Sequence, residues 1–174
     1  LITIPGEPFM LRPGFMLIVL AGVFTLLFVD VETAPAQEVW DVTQPRGETR
    51  EIDFVTDEGT WMSLDVSPNA QSIVFDLLGH IYQMSSQGGG AEALTQGSGV
   101  ALNFDPRYSP DGASIAFISD RLGQNNLWIM DADGGNPRSV FRSGSIRASE
   151  PHWTPDGQYI IVRRQPGGLW MYHK

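Results

Sequence analysis

The sequence predicts an all-β fold: a partial β-propeller of about three four-stranded antiparallel blades, placed after an N-terminal hydrophobic signal segment. Three similar phrases support this prediction, namely VSPNAQSIVF at 66–75, YSPDGASIAF at 108–117 and WTPDGQYIIV at 153–162. Their prolines lie 42 and 45 residues apart, and repeats of about 40–50 residues with several strands each are typical of propeller blades. The 19 Gly and 12 Pro lie between apolar runs, which favours short strands and tight turns.

Each phrase belongs to a run of predicted strands that fits one blade. The first blade is predicted to hold strands at 62–66, 72–76, 80–84 and 91–95. The second is predicted to hold strands at 103–108, 114–119, 127–130 and 137–141. The third is predicted at 151–153, 159–163 and 169–173, and it lacks an outer strand.

The centre of each phrase has the chemistry of a tight turn. Pro110 fixes φ at the entry, Asp111 can bond the backbone that follows it, and Gly112 accepts a positive φ. The third phrase repeats this Pro-Asp-Gly sequence. In the first phrase Asn69 and Ala70 replace Asp and Gly, and Ala disfavours left-handed geometry, so we expect that turn to be looser or of another type.

The chain divides into a signal peptide at 1–36, a lead-in at 37–59 and the blades at 60–174. The lead-in contains an unpaired outer strand around Ile52, and in a closed propeller such a strand often completes the last blade. With three blades both ends of the array are open. We therefore expect apolar residues of the third blade to be partly uncovered, and residues 37–174 to be marginally stable or self-associating; these apolar residues are Ile160, Val162 and Trp170.

The N-terminal region has the pattern of an export signal. Residues 15–29 form fifteen uncharged residues, which is short for a membrane span of roughly 20 residues but suits a signal-peptide core. Ala34 and Ala36 fit a signal peptidase site, so cleavage after Ala36 would leave Gln37 first. A conventional signal would start at Met10, so residues 1–9 are interpreted as upstream sequence, with a fragment of a longer protein as the alternative. The alternative is an uncleaved anchor, and both interpretations predict a periplasmic or secreted chain.

Charge and composition exclude several kinds of partner and site. The net charge is −9, and the 11 basic residues are spread along the chain without forming a patch, so nucleic acid is a poor partner. The chain has no cysteine, which excludes disulfides, thiolate zinc sites and cysteine nucleophiles. We expect contact with a membrane only through the N-terminal segment.

No catalytic, cofactor-binding or metal-binding residue is predicted. The run DADGG at 131–135 lacks the later ligands of a calcium loop and is interpreted as a turn. The three histidines stand alone in the sequence and form no metal motif; they are His80, His152 and His173. Segment 97–100 is not a Gly-x-Ser-x-Gly elbow, and the glycines of 86–92 lack the lysine of a phosphate loop, so that segment is interpreted as a hairpin connection.

The phrases YSPDGASIAFISDRLGQNNLWIMDADGGNPRSVF and WTPDGQYIIV resemble the WD-like repeats of TolB-type propellers, which are exported bacterial domains. The phrases EVWDVTQP, TDEGTWMSLDVSP and FDLLGHIY are similar to the opening blade of exported proteins in which a TolB-like propeller precedes a metal-dependent amidohydrolase domain. The chain departs from the pattern at Asn69 and Ala70, and at His80, where an acidic residue is expected.

The resemblance implies a non-catalytic accessory propeller whose partners are further blades and a hydrolase domain of the same protein. Such a hydrolase needs a His-x-His pair and further ligands, and none maps onto this chain. Two alternatives stay open: a stand-alone TolB-type propeller that binds envelope proteins, and the gating propeller of a prolyl-oligopeptidase-like serine hydrolase with peptide-like substrates. No cofactor is expected in this chain.

Overall fold

The computed structural model describes residues 41–50, 52, 54–141 and 147–174, all within the unit Trp40–Lys174. The predicted signal peptide at 1–36 lies outside the described residues. Within the described ranges, no helix is long and apolar enough to cross a membrane.

Three antiparallel sheets follow one another along the chain and confirm the predicted fold class. The first sheet has the order β1 (Leu64–Val66), β2 (Ser72–Leu77), β3 (His80–Ser85) and β4 (Glu92–Ala93). The second has the order β5 (Asn103–Tyr108), β6 (Ser114–Ser119), β7 (Asn126–Asp131) and β8 (Arg138–Ser139). The third has β10 (Tyr159–Gln165) between β9 (Arg147–Trp153) and β11 (Gly168–His173). We refer to the sheets as blades one, two and three.

The peripheral strands differ from the prediction. The outer strands β4 and β8 have two residues each, fewer than predicted. In β8, Pro137 offers no N–H to the neighbouring strand. The last backbone hydrogen bonds beside these strands are donated by Leu94 and Val140. A strand around Ile52 is not found: Ile52 and residues 54–63 belong to no strand, and Glu51 and Asp53 lie outside the described residues. A strand needs a hydrogen-bonded neighbour, and Ile52 has no strand partner among the described residues.

Blade two is buried on both faces because its side chains alternate. Ile115 and Phe117 of β6 belong to the apolar cluster shared with blade one, which includes Val74. Ala116 and Ile118 belong to the cluster shared with blade three. Successive residues of a strand point to opposite faces, so one strand supplies both interfaces. Each fully buried aliphatic or aromatic side chain contributes about 1.5–3 kcal/mol relative to an exposed one.

The burial of apolar residues in blade three differs from the prediction made from the sequence. Ile160 and Val162 are fully buried against blade two, although we expected them to be partly uncovered. Trp170 is 45% exposed, as expected. Leu169 and Met171 of β11 are also exposed, because the blade has one face against blade two and the opposite face in solvent.

The turn of each phrase uses one hydrogen-bond pattern. In blade two the Ser109 hydroxyl donates to Asp111 Oδ1 over 2.5 Å and accepts the Ser114 N–H over 2.9 Å. The hydrogen bond from Ser109, followed by one from a backbone N–H, lowers the pKa of Asp111. Thr154 and Asp156 repeat the arrangement in blade three, and the pKa of Asp156 is lowered for the same reasons.

The prediction of a looser turn in blade one is wrong. The backbone of this turn matches that of the other two turns. Ala70 has a φ of 57°, close to 71° for Gly112 and 66° for Gly157. Its N–H donates to Ser67 O over 2.8 Å, and Asn69 Oδ1 accepts the Ser67 hydroxyl over 2.8 Å in the way that Asp does elsewhere. These hydrogen bonds and the β1–β2 pairing outweigh the free-energy cost of a left-handed backbone at Ala70, which is about 1–2 kcal/mol.

Neighbouring turns also contact one another. A Cβ at Gly112 would lie 3.4 Å from Pro68 Cδ, and a Cβ at Gly157 would lie 3.5 Å from Pro110 Cδ. Each proline ring therefore lies against the glycine of the next blade's turn. The repeat of this contact shows that blades one, two and three are related by nearly the same packing step.

Replacement of Ala70 by Gly tests the strained turn. We expect Ala70→Gly to raise the free energy of unfolding by about 0.5–1 kcal/mol, because relief of left-handed strain exceeds the added entropy of the unfolded chain. Gly112→Ala should lower it by about 1 kcal/mol at the equivalent position. Urea unfolding followed by far-UV circular dichroism measures both, and a loss of stability in Ala70→Gly would contradict the argument.

Replacement of Ile160 by Ala tests the interface between blades two and three. Because Ile160 is fully buried, we expect Ile160→Ala to lower the free energy of unfolding by about 2–5 kcal/mol. Leu169→Ala is the matched control in the same blade, where 77% of the residue is exposed, and should change it by less than about 0.5 kcal/mol. Equal effects in urea unfolding would show that the two faces of blade three are equally covered.

Candidate ligand-binding cleft between blades one and two

A cleft of about 350 Å³ opens where the chain entering β1, the β2–β3 turn and the start of β5 meet. We call it the inter-blade cleft. Its lining combines acidic, hydroxyl and large apolar residues: Thr60, Trp61, Ser63, Asp76, Leu77, Leu78, Gly79, Leu102, Asn103, Phe104 and Asp105.

Two carboxylates are fixed side by side in this cleft. Asp76 of β2 is buried; its Oδ1 accepts the Ser63 N–H over 2.9 Å and its Oδ2 accepts the Asp105 N–H over 2.7 Å. The Ser63 hydroxyl then donates to Asp105 Oδ1 over 2.6 Å. Among the described residues the one ion pair found joins Arg163 and Glu150, so neither Asp76 nor Asp105 has a cationic partner there.

Three large apolar side chains stand exposed at the rim. The exposed fraction is 101% for Trp61, 70% for Leu78 and 54% for Leu102. Single exposed apolar residues are common on protein surfaces, but grouped ones are typical of binding sites. Their position beside two carboxylates gives the cleft an apolar edge and an acidic base.

The backbone around the cleft is strained at three positions. Trp61, Leu78 and Asp105 have φ values of 60°, 51° and 54°, in the left-handed region that non-glycine residues rarely adopt. Asp105 precedes Pro106 at a bulge in the β5–β6 pairing, and the bulge turns its N–H towards Asp76. Such strain costs about 1–3 kcal/mol per residue and is found preferentially at functional sites.

The side chain of Arg121 stands behind the cleft wall. Arg121 donates to Asn103 Oδ1 over 3.3 Å, and its guanidinium lies 5.0 Å from the ring centroid of Trp128 and 5.8 Å from that of Phe117. Burial lowers the pKa of Arg121, but an arginine stays charged at neutral pH. The amide nitrogen of Asn103 bonds the Gly79, Ser98 and Ala101 oxygen atoms, so this side chain is fixed.

Further hydrogen bonds hold the two blades together beside the cleft. Asp65 Oδ2 of β1 accepts the Tyr108 N–H of β5 over 2.8 Å, and the Tyr108 hydroxyl accepts a hydrogen bond from Gln83 over 2.6 Å. Burial raises the pKa of Tyr108. The position of β5 against β1 is therefore set by side chains of blade one, which makes the cleft part of a fixed interface.

A second, larger groove of about 640 Å³ lies at the opposite end of the β2–β3 hairpin from the cleft, where β2 begins and β3 ends. Its lining is formed mainly by Gln and Ser side chains and by the loop after β3, with Gln71, Gln83 and Ser86 among its residues. It contains one carboxylate, that of Glu92, and no exposed aromatic side chain. The inter-blade cleft therefore has the more selective chemistry.

Residues considered from the sequence alone occupy structural positions. Segment 131–135 is a turn, as predicted: Asp131 Oδ2 accepts the Asn136 amide over 2.7 Å and Asp133 Oδ1 accepts the Gly135 N–H over 2.9 Å. Segment 86–92 connects β3 with β4, as predicted. Segment 97–100 lies in the connection from blade one to blade two.

The histidines lie in different blades. His80 Nδ1 lies 3.2 Å from the Thr95 carbonyl oxygen in blade one, whereas His152 and His173 lie on β9 and β11 of blade three. Within the part of the chain that the structure describes, no three His, Cys, Asp or Glu side chains are grouped to hold a metal ion.

Sequence reasoning missed the inter-blade cleft. Asp76 and Asp105 are 29 residues apart, and Ser63 and Asp105 are 42 apart, so no local motif joins them. One signal was available. In two blades an acidic residue stands five positions before the turn proline and is itself followed by a proline; these pairs are Asp105-Pro106 and Glu150-Pro151. Glu150 also has a positive φ, of 54°, so this pattern marks a repeated bulge.

Comparison with known proteins supports the resemblance to TolB-type propellers. An uncharacterized peptidase of Bacillus subtilis, YuxL, is 39% identical over 84 residues, which are 48% of this chain and 12% of that protein. The Tol-Pal system protein TolB of Helicobacter hepaticus is 29% identical over 112 residues, 62% of this chain and 26% of that protein. The chain thus spans about an eighth to a quarter of the length of these relatives.

The fold of a solved relative and a domain family agree with these matches. The crystal structure of TolB from Acinetobacter baumannii superposes with a TM-score of 0.52 and 25% identity, covering 66% of this chain and 29% of that one. The TolB beta propeller domain family matches residues 42–173, which is more than half of the chain. With three consecutive antiparallel sheets in the same region, the chain belongs to the TolB β-propeller domain family.

Proposed function

We propose that this chain is a non-catalytic, protein-binding TolB-type propeller segment of an exported bacterial protein. The observation that carries the proposal is the inter-blade cleft, a fixed site with an apolar rim and two carboxylates that lack a cationic partner among the described residues. A scaffold of short strands with residues presented at blade junctions suits binding to another protein. Family membership by itself does not fix a function.

The parent protein is proposed to be larger than this chain and to contain a hydrolase domain. The phrases EVWDVTQP and TDEGTWMSLDVSP support a metal-dependent amidohydrolase as that domain. Further blades of the same protein would then cover the exposed side of blade three, where Leu169 and Met171 face solvent. A His-x-His pair in the continuing reading frame would support this parent.

A peptidase parent is the second candidate, because the relative YuxL is described as an uncharacterized peptidase. The propeller would then gate access of peptide-like substrates to a serine hydrolase domain. A Gly-x-Ser-x-Gly elbow in the continuing reading frame would support this candidate. In both cases the present chain supplies recognition and its partner domain supplies the chemistry.

A photo-crosslinking experiment tests protein binding. Benzoylphenylalanine at Leu102, on the cleft rim, should give one predominant protein adduct in the envelope fraction of the bacterium that carries the gene. The same group at Leu169 on blade three is the control and should not give this adduct. The purified chain should also hydrolyse no amide or ester substrate, with or without added Zn²⁺. Intrinsic hydrolysis, or the same adduct from both positions, would contradict the proposal.

Export is tested by the N-terminus of the mature chain. The uncharged core at 15–29 and the Ala34–Ala36 site predict cleavage by signal peptidase. Expressed in a Gram-negative host, the chain should be recovered from the periplasm with Gln37 as its first residue, as measured by N-terminal sequencing. Replacement of Ala36 by Asp is the control and should block cleavage. Recovery of an intact N-terminus from the cytoplasm would contradict export.

A further inference from the structure

We propose that the inter-blade cleft binds a single basic side chain, Lys or Arg, on an apolar segment of the partner protein. This inference rests on the proposed protein-binding function and specifies the chemistry that the partner presents. The carboxylates at the base of the cleft, the apolar residues at its rim and its size support this proposal.

The carboxylate of Asp105 is available to a ligand cation. Both oxygen atoms of Asp76 accept backbone N–H groups, so Asp76 fixes the position of Asp105. Asp105 Oδ1 accepts only the Ser63 hydroxyl, and its other oxygen has no hydrogen bond to the described residues. An ionised carboxylate in a partly buried cleft forms shorter and stronger hydrogen bonds with an ammonium or guanidinium group than with a neutral donor.

The balance of charge in the cleft favours a cation. The chain carries a net charge of −9, and the guanidinium groups of Arg107 and Arg121 donate to oxygen atoms of other residues rather than to the two cleft carboxylates. The guanidinium of Arg121 also lies against two aromatic rings, and within the described residues it forms no ion pair with Asp76 or Asp105. Two carboxylates without an ion-pair partner among the described residues would attract the positive charge of an incoming Lys or Arg.

The apolar rim suits the rest of a basic side chain. Lys and Arg have aliphatic stems that pack on apolar surface while the charged group reaches a polar partner. Leu78 and Leu102 offer such a surface, and the exposed indole of Trp61 can stack on a cation. An exposed indole held by a left-handed backbone is costly for folding alone, and contact with a partner would give it a role.

The volume of the cleft limits the occupant. At about 350 Å³ it lies at the small end of ligand sites, which span about 300–1,000 Å³. It has room for one side chain and its neighbours, so the partner is expected to insert a loop or terminal segment. Apolar residues beside the basic one would then contact Leu78 and Leu102.

Titration with matched peptides tests the inference. Acetyl-Ala-Leu-Lys-Leu-Ala-amide is added to the ¹⁵N-labelled chain, and a second peptide carries norleucine, a neutral residue of similar shape, in place of Lys. We expect the Lys peptide to shift the amide resonances of Ser63 and Asp105 and the indole resonance of Trp61. The norleucine peptide should bind at least about tenfold more weakly, because one charge-assisted hydrogen bond is lost.

Three variants assign the binding to the cleft. Asp105→Asn keeps the oxygen that accepts the Ser63 hydroxyl and should weaken the Lys peptide about tenfold, with little effect on the norleucine peptide. Trp61→Ala, at an exposed position, should weaken both peptides. Asp133→Asn removes the same charge from the β7–β8 turn and should leave binding unchanged. Equal binding of the two peptides, no shifts at millimolar peptide, or equal losses in Asp105→Asn and Asp133→Asn would overturn the inference.

The two proposals fail in different ways. If crosslinking from Leu102 captures a partner but the Lys peptide does not bind, the protein-binding function stands and the basic-residue inference is wrong. If the Lys peptide binds at the cleft but no partner is crosslinked, the chemistry of the cleft stands and the proposed function is wrong.

Discussion

The two-sided packing of β6 is the interaction on which the rest of this structure depends. Its residues alternate between the cluster shared with blade one and the cluster shared with blade three, so one six-residue strand links all three sheets. A single antiparallel sheet of short strands cannot bury enough apolar surface to be stable by itself. The outer faces of blades one and three lack such a neighbour among the described residues, which explains why Leu64 and Val66 of β1 and Leu169 and Met171 of β11 are exposed.

The inter-blade cleft is a consequence of how blade two is attached to blade one. Apolar contacts fix the distance between the sheets, but they are not directional and do not set the strand position along the interface. Carboxylates of blade one do so, because Asp65 and Asp76 accept backbone N–H groups of β5. The bulge at Asp105 that presents one of these N–H groups also places the Asp105 carboxylate in the cleft. The attachment of the two blades and the proposed binding of a basic side chain therefore use the same residues.

The repeated turn sequence of this chain serves the packing between blades as well as the turn itself. The second and third turns each place their glycine against the proline of the preceding blade, so the Pro-Asp-Gly sequence serves both the local reversal and the contact between blades. Ala70 lies in the first turn, where no preceding proline is present among the described residues, and it tolerates its left-handed backbone because the hydroxyl-to-Asx bonds remain intact. Local propensity is thus overridden by hydrogen bonds that the turn makes with its own flanking strands.

The sequence by itself determined the all-β class, the positions of the inner strands of each blade and the two Pro-Asp-Gly turns, because alternation and turn chemistry are local properties of short segments. It did not determine that Ile160 and Val162 are covered while Leu169 is not, since a strand with apolar residues on both faces does not reveal which face has a neighbour. Nor did it reveal the cleft, whose Ser63, Asp76 and Asp105 come from three separate segments. Only the packing of blade two on blade one brings these groups within hydrogen-bonding distance, because that geometry depends on contacts between residues distant in the chain.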